Sequence, residues 1–266
     1  MRFQPRLVAL DVDGTLVDWD NMMTAAVREA VRAVAASGVP VVVATGRAVP
    51  GVMDAVDKLG LDNGRAVASN GAVTIGFRPV EVLSTVTFDA SETVKLLLEH
   101  VPDAAVAVEE VGIGYRINRE FPEGELTGTL QLQSVDELVH EPVTRVIIRS
   151  PDQSAEEFVE LAERLGLHGT NYYVGYTAWL DLAPEGVSKA SALAQVADSF
   201  GVAQADVLAI GDGRNDVEML AWAGRGVAMG MAPLEVQECA DDVTETVEAD
   251  GVVVELSRWF QRPAQR

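Results

Sequence analysis

The chain has 266 residues, 48% of them hydrophobic, so it can bury a sizeable core and is too apolar to be disordered throughout. Its 41 acidic and 20 basic side chains leave a formal charge of −21, a field that repels nucleic acid and anionic lipid. The same field repels a phosphorylated small molecule unless local cations reverse the sign inside a pocket.

Residues 7–10 are an apolar run that predicts a buried strand, and Asp11-Val12-Asp13-Gly14-Thr15-Leu16 stands where it ends. Alternation along a strand sends Asp11 and Asp13 to one side, and Gly14 lets the backbone turn away. Two carboxylates brought together repel. The motif therefore reads either as a divalent-cation site with one carboxylate free to act as a nucleophile, or as a solvated turn. A helix is expected over 22–36, with Val27, Ala30, Val31 and Val34 at helical spacing and Gly38 as its stop. Residues 39–44 predict a second buried strand, closed by Thr45-Gly46-Arg47. The Thr45 hydroxyl and the N–H groups after it suit a phosphate oxygen, or else Thr45 caps a helix. A helix over 49–59, a strand at 66–68 and the turn Ser69-Asn70-Gly71 continue an alternation that argues for a parallel, doubly wound sheet.

The rhythm changes near Ser84. A helix over 91–101 precedes strands at 104–109 and 113–118, a loop rich in Gly, Pro and Glu, and a strand at 143–149. Ser154 and Glu157 form a capping-box pattern for a helix to Leu165, and strands at 172–174 and 179–182 finish the segment. This describes an α+β insert, an antiparallel sheet with two helices on one face. The βα rhythm returns with a helix over 189–200, a strand at 207–210, a helix from Asn215, a strand at 226–229 and a helix over 251–260. The expected fold class is α/β, a Rossmann-like parallel-sheet core made from residues 1–83 and 178–266 and split by an α+β domain at 84–177.

Lys189 in a first helical turn opposes the helix dipole. A bound anion or a neighbouring carboxylate such as Asp11 would offset that cost, the alternative being a solvent-facing lysine. Gly211-Asp212-Gly213-Arg214-Asn215-Asp216 fails as a dinucleotide fingerprint, because Asp216 takes the place of the last glycine and would repel a pyrophosphate. With Asp11 and Asp13, the acids Asp212 and Asp216 instead make a pocket suited to magnesium. His100, His140 and His168 fall in the insert, away from any Ser or Cys motif, so neither a catalytic triad nor a histidine-bound zinc is expected. Cys239 is the only cysteine; it reads as a packed residue and fits a reducing compartment. The acidic motif follows Met1 too closely for a signal peptide, and charges interrupt every candidate span, so a soluble cytoplasmic protein is expected.

Asp11 to Leu16, Ala44-Thr45-Gly46-Arg47, Ser69-Asn70-Gly71-Ala72, Gly186-Val187-Ser188-Lys189 and Gly211 to Asp216, in this order and spacing, resemble the haloacid dehalogenase (HAD) superfamily. Within it the sequence is similar to the Cof-like phosphatases with a large IIB-type cap. The resemblance implies a HAD core, with the 84–177 domain as a cap that selects substrate. It implies that Asp11 attacks phosphorus to form an aspartyl-phosphate, while Asp13 protonates the leaving alcohol and then activates water. Magnesium would be held by the Asp11 side chain, the Asp13 main-chain carbonyl and Asp212, with Asp216 nearby. Thr45 and Lys189 would bind the phosphoryl group with Asn215, while Gly46, Arg47 and Asn70 contribute. The substrate implied is a small phosphorylated metabolite such as a sugar phosphate, with no nucleic-acid or membrane partner. A phosphomutase on the same scaffold and a non-catalytic phosphometabolite sensor are the alternatives. Arg214 replaces what is often a smaller or acidic residue in the subfamily. Arg116, Tyr172, Tyr173, Tyr176 and Trp179 are candidate substrate contacts, or else packing within the insert.

Overall fold

The structure, a computed structural model, describes residues 3–150, 154, 157, 160, 161, 164, 165, 170–174 (backbone) and 179–260. Two sheets organise it. The first holds β1 (Leu7–Leu10), β2 (Val41–Ala44), β3 (Gly64–Ala68), β4 (Val73–Phe77) and β5 (Glu81–Thr85). The second holds β6 (Ala105–Glu110), β7 (Gly114–Ile117), β8 (Thr129–Leu132), β9 (Val146–Arg149), β10 (Thr170–Val174) and β11 (Trp179–Pro184). The chain then returns to the first sheet with β12 (Val207–Gly211), β13 (Arg225–Ala228) and β14 (Asp242–Val243). Strand order is β14-β13-β12-β1-β2-β3-β4-β5 in one sheet and β10-β11-β9-β6-β7-β8 in the other.

The centre of the first sheet is parallel, and β1, β2 and β12 are buried at every position. Such strands need helices on both faces, and the alternation of their side chains divides two cores between them. Val8, Leu10 and Val43 pack on one face with Val31, Val34, Val52 and Val56 from the helices Ala25–Ala36 and Val49–Leu59. Leu7, Ala9 and Val42 pack on the other with Leu193, Val196 and Met219 from the helices Lys189–Ser199 and Val217–Trp222. The first helix starts at Ala25 rather than residue 22, because the Thr24 hydroxyl caps it by accepting from the Val27 N–H. The final helix, Gly251–Leu256, ends short of residue 260. An antiparallel hairpin, β4 and β5, extends the sheet beyond what periodicity predicts.

The insert is the expected sheet, antiparallel except where β7 runs parallel to β8. One face buries Val106, Val108, Val146 and Ile148 against Val94 and Leu97 of the helix Ser91–His100, and against Leu161. Ser154 and Glu157 make the capping-box contacts, and residues 157, 160, 161, 164 and 165 are helical. The other face, with Ala107, Tyr115 and Ile147, packs on Ala48 of the core.

The expected boundary at 177/178 falls just before β11, which pairs within the second sheet. β11 lies between β9 and β10, and its Leu180 and Leu182 are fully buried in the insert's own core, so the strand belongs to the insert through Pro184. At the other end β5 keeps the chain in the first sheet to Thr85. The two crossings are adjacent. The Val86 N–H donates to the Ala72 carbonyl at 2.8 Å. Gly71, at φ +104°, sits so close to the Ser188 carbonyl that a Cβ would lie 2.1 Å from its oxygen.

This boundary is testable by excision. Replacing residues 86–185 with a short linker is expected to give a soluble, monodisperse core. Replacing 84–177 leaves Leu180 and Leu182 on an unpaired strand, which should aggregate on size-exclusion chromatography. Equal behaviour of the two deletions would reject the assignment of β11.

Candidate active site

The parallel strands end on one edge of the sheet, where sites in such folds form. Asp11 follows β1, Thr45 follows β2, Ser69 to Gly71 follow β3, and Asp212 follows β12. Backbone bonds tie these loops together: Asp11 N–H donates to the Ile210 carbonyl at 3.0 Å, and Asn70 N–H to the Thr45 carbonyl at 3.1 Å.

Lys189 is the buried centre of the cluster. Its Nζ donates to Asp11 Oδ1 and to Asp216 Oδ1, each at 2.7 Å. Ser188 and Ser191 satisfy the helix start reciprocally, so the unfavourable helix-end position of Lys189 is offset by two carboxylates. Burial works against its charge, but Asp11 and Asp216 outweigh that and raise its pKa. Asp216 is also committed elsewhere: its Oδ2 accepts from the N–H groups of Asp212 at 3.0 Å and Gly213 at 2.9 Å. Gly14 is required beside them, since at φ +75° a Cβ would lie 2.3 Å from Asp212 Oδ2.

Oxygens of Asp11, Asp212 and Asp216 lie within 4.8 Å of one another, all three residues buried. Burial first, then the Asp216 charge, push the Asp11 pKa well up; Lys189 opposes them, and Asp212 and Asp13 add to the rise. Three carboxylates against the Lys189 ammonium leave an excess of two negative charges. A hard, oxygen-only donor set with that excess fits a divalent ion such as magnesium.

Asp13 departs from the expected convergence with Asp11. β1 has already ended at Leu10, so strand alternation no longer governs it. Its half-exposed carboxylate turns to Arg47, which donates from Nε to Oδ2 at 2.9 Å and from Nη2 to Oδ1 at 2.5 Å. The Asp13 side chain therefore stands outside the buried triad. Thr45 lines the cavity, and its Oγ1 accepts from the Arg47 N–H at 3.1 Å; it does not cap the helix Val49–Leu59, whose N-cap is Ala48 with no side-chain cap bond.

That cavity, about 600 Å³, lies between core and insert, and Asp11, Asp13, Gly46, Arg47, Asn70 and Asn215 also line it. A chain of bonds crosses its wall. Asn215 Nδ2 donates to Asn70 Oδ1 at 2.9 Å, and Asn70 Nδ2 donates to Asp181 Oδ2 at 3.0 Å. Asp181 is clamped by Arg145, whose Nη1 donates to the Tyr115 hydroxyl at 2.9 Å. Burial pushes the Tyr115 pKa up to about 12. Sequence reasoning missed Asp181, Arg145 and Tyr115. The available signal was a charged residue inside each of two apolar strands, where a buried partner is required.

Of the insert's candidates, Trp179 lines the cavity and meets Phe121 edge-on at 6.3 Å between centroids. Arg116 instead pairs with Glu110 at 3.7 Å and Glu141 at 3.5 Å. Tyr172 and Tyr173 are on β10, their side chains outside the description; Tyr176 and His168 lie outside the described residues. His100 and His140 bond back to the carbonyls of Leu96 and Glu137, as surface histidines do. Arg214 lines the cavity and is held by Glu235. No helix among the described residues is long and apolar enough to cross a membrane.

Residues 8–256 match the family model of haloacid dehalogenase-like hydrolases, and the chain belongs to that family. It is 30% identical to 5-amino-6-(5-phospho-D-ribitylamino)uracil phosphatase YcsE of Bacillus subtilis, over 96% of this chain and 95% of that protein. It is 31% identical to a phosphoglycolate phosphatase of Natronomonas pharaonis, over 94% and 96% respectively. The solved structure of BT1666, from a study of HAD-superfamily phosphatases, is that of a Bacteroides thetaiotaomicron protein. It shares 30% identity with a TM-score of 0.79, over 96% of this chain and 95% of that one. The chain is accordingly a phosphatase of the Cof-like HAD type.

The raised Asp11 pKa has a stability consequence. A carboxyl whose pKa rises on folding favours the fold while protonated, and that contribution is lost as pH climbs from the ordinary carboxylate range through the raised value. In chelator-treated protein, Asp11→Asn should therefore melt higher than the parent at about pH 8, with the gap closing on acidification. Lys189→Met removes the ammonium from the cluster and should cost about 3–5 kcal/mol in the same assay. Thermal melts across pH check both, and an Asp11→Asn protein that melts lower at neutral pH would reject the sign.

Proposed function

We propose that this phosphatase is magnesium-dependent and hydrolyses small phosphorylated metabolites, monoesters of the sugar-phosphate kind, through an aspartyl-phosphate on Asp11. The observation that carries this reading is a buried carboxylate lining the cavity, fixed by Lys189 and flanked by further acids. Phosphoryl transfer needs positioning and charge neutralisation more than it needs covalent assistance. In this reading Asp11, Asp212 and the Asp13 main-chain carbonyl hold magnesium, while Asp216, committed to Lys189 and two amides, positions the others. When bound, the metal neutralises charge on the phosphoryl oxygens.

The chain's own residues do the rest. Lys189 holds Asp11 Oδ1, which fixes the nucleophile and offsets part of the repulsion between a carboxylate and an incoming phosphate. The Thr45 hydroxyl and the amides of Asn70 and Asn215 border the space where phosphoryl oxygens would lie. Arg47 holds the Asp13 carboxylate at the cavity wall, where it protonates the leaving oxygen and then takes a proton from water.

The division of labour between the two acids gives distinct outcomes. Asp11→Asn removes the nucleophile and should abolish turnover of every substrate. Asp13→Asn keeps the nucleophile but loses the proton donor, a contribution of ~10²–10⁴ in rate on alkyl phosphates. p-Nitrophenyl phosphate needs no such proton, so Asp13→Asn should release about one nitrophenolate per enzyme in a burst and then stall for lack of a base. Rapid-quench kinetics read this directly. A burst from Asp11→Asn would remove it as the nucleophile, and burst-free loss in both variants would count against the roles assigned.

A further inference from the structure

The arginines that line the cavity are each held by a carboxylate: Arg47 by Asp13, Arg145 by Asp181 and Arg214 by Glu235. On the insert's side the neutralisation is deep. Arg145 and Asp181 are 5% and 6% exposed, and the guanidinium donates from Nε and Nη2 to both Asp181 oxygens at 2.7 and 2.6 Å. A second buried carboxyl, Glu109, faces the same guanidinium; burial raises its pKa and the Arg145 charge opposes the rise. Glu125, also on the wall, pairs with Arg149 at 2.6 Å. Among its described residues, the insert offers a ligand the Tyr115 hydroxyl, the ring of Trp179, Thr127, and the carboxylates of Asp181 and Glu125.

We propose that this wall is a charge filter. It accepts a phosphomonoester whose leaving group is uncharged and hydroxylated, and it rejects one carrying a second anion, with Asp181 and Glu125 as the specificity-determining residues. The inference rests on reading the cavity as the phosphatase site and adds what the leaving group must be. Hydroxyl groups find acceptors in the two carboxylates and a partner in Tyr115. A second anion gives up its water for a surface where, among the described residues, each arginine is already matched, inside a chain of charge −21. Rejection here comes from unpaired charge rather than from size, which is the stronger way for a polar site to discriminate.

Glucitol 6-phosphate and 6-phosphogluconate test this, because they share a six-carbon chain and differ only in a hydroxymethyl group against a carboxylate at C1. Each is measured with magnesium as a substrate and as a competitor of p-nitrophenyl phosphate. The wild-type protein should favour glucitol 6-phosphate by more than about tenfold in kcat/KM or in inhibition constant. Asp181→Asn keeps the side chain's size and an acceptor but unmasks Arg145, and should shrink that preference, mainly through KM for 6-phosphogluconate. Glu125→Gln removes a carboxylate from the wall itself, at a less buried position, and should act in the same direction, so the test survives if Asp181→Asn folds poorly. A wild-type preference within about threefold of unity, or a preference unmoved in the folded variants, overturns the filter. Failure of the wild-type protein to turn over p-nitrophenyl phosphate with magnesium would instead overturn the phosphatase site on which the filter rests.

Discussion

The ammonium of Lys189, buried between Asp11 and Asp216, is the interaction on which the site depends. A buried lysine with no partner would lose its proton or unfold its surroundings, and buried carboxylates with no cation would do the reverse. Each therefore makes the other tolerable. The pairing also sets loop geometry. Asp216 uses its second oxygen to gather the amides of Asp212 and Gly213, so the lysine, the loop after β12 and the loop after β1 settle as one unit. A divalent cation held there would relieve the remaining excess of negative charge, and its affinity would then be coupled to the stability of the fold.

Much of this was legible in the chain because the residues are poor choices for anything else. Lys189 stands at the wrong end of a helix, and acids cluster where strands end; local preferences disagree with the sequence there, and the disagreement marks the site. The direction of the Asp13 side chain was hidden for a local reason. The alternation argument assumed that the strand continued past Leu10, but the chain has already turned, and Arg47 from another loop decides where the carboxylate goes. Such a pairing, 34 residues apart, has no local signature.

Which sheet receives β11 was hidden for a related reason. An apolar strand of four to six residues looks the same whichever sheet receives it, and β11 joins the insert only because β9 and β10 flank it. The same strand carries Asp181 into contact with Asn70, so the insert's sheet reaches the core's loop through a side chain as well as through the chain itself. Asp181 within β11 and Arg145 just before β9 are each a charge among apolar neighbours, which tells that a partner exists but not which one.

The adjacency of the two crossings, beside Ala72 and Ser188, also fixes what kind of motion the insert can make. A body tethered at two distant points can only slide or flex, whereas one that enters and leaves at nearly the same place can swing as on a single pivot. Four strand spacings of about 4.8 Å separate β11, from which the chain leaves, from the far edge at β8, a lever of roughly 19 Å, so a swing of about 10° would carry that edge ~3 Å. A small adjustment at such a pivot would be geared into a larger change at the rim of the cavity, with the strands of each sheet keeping their own register.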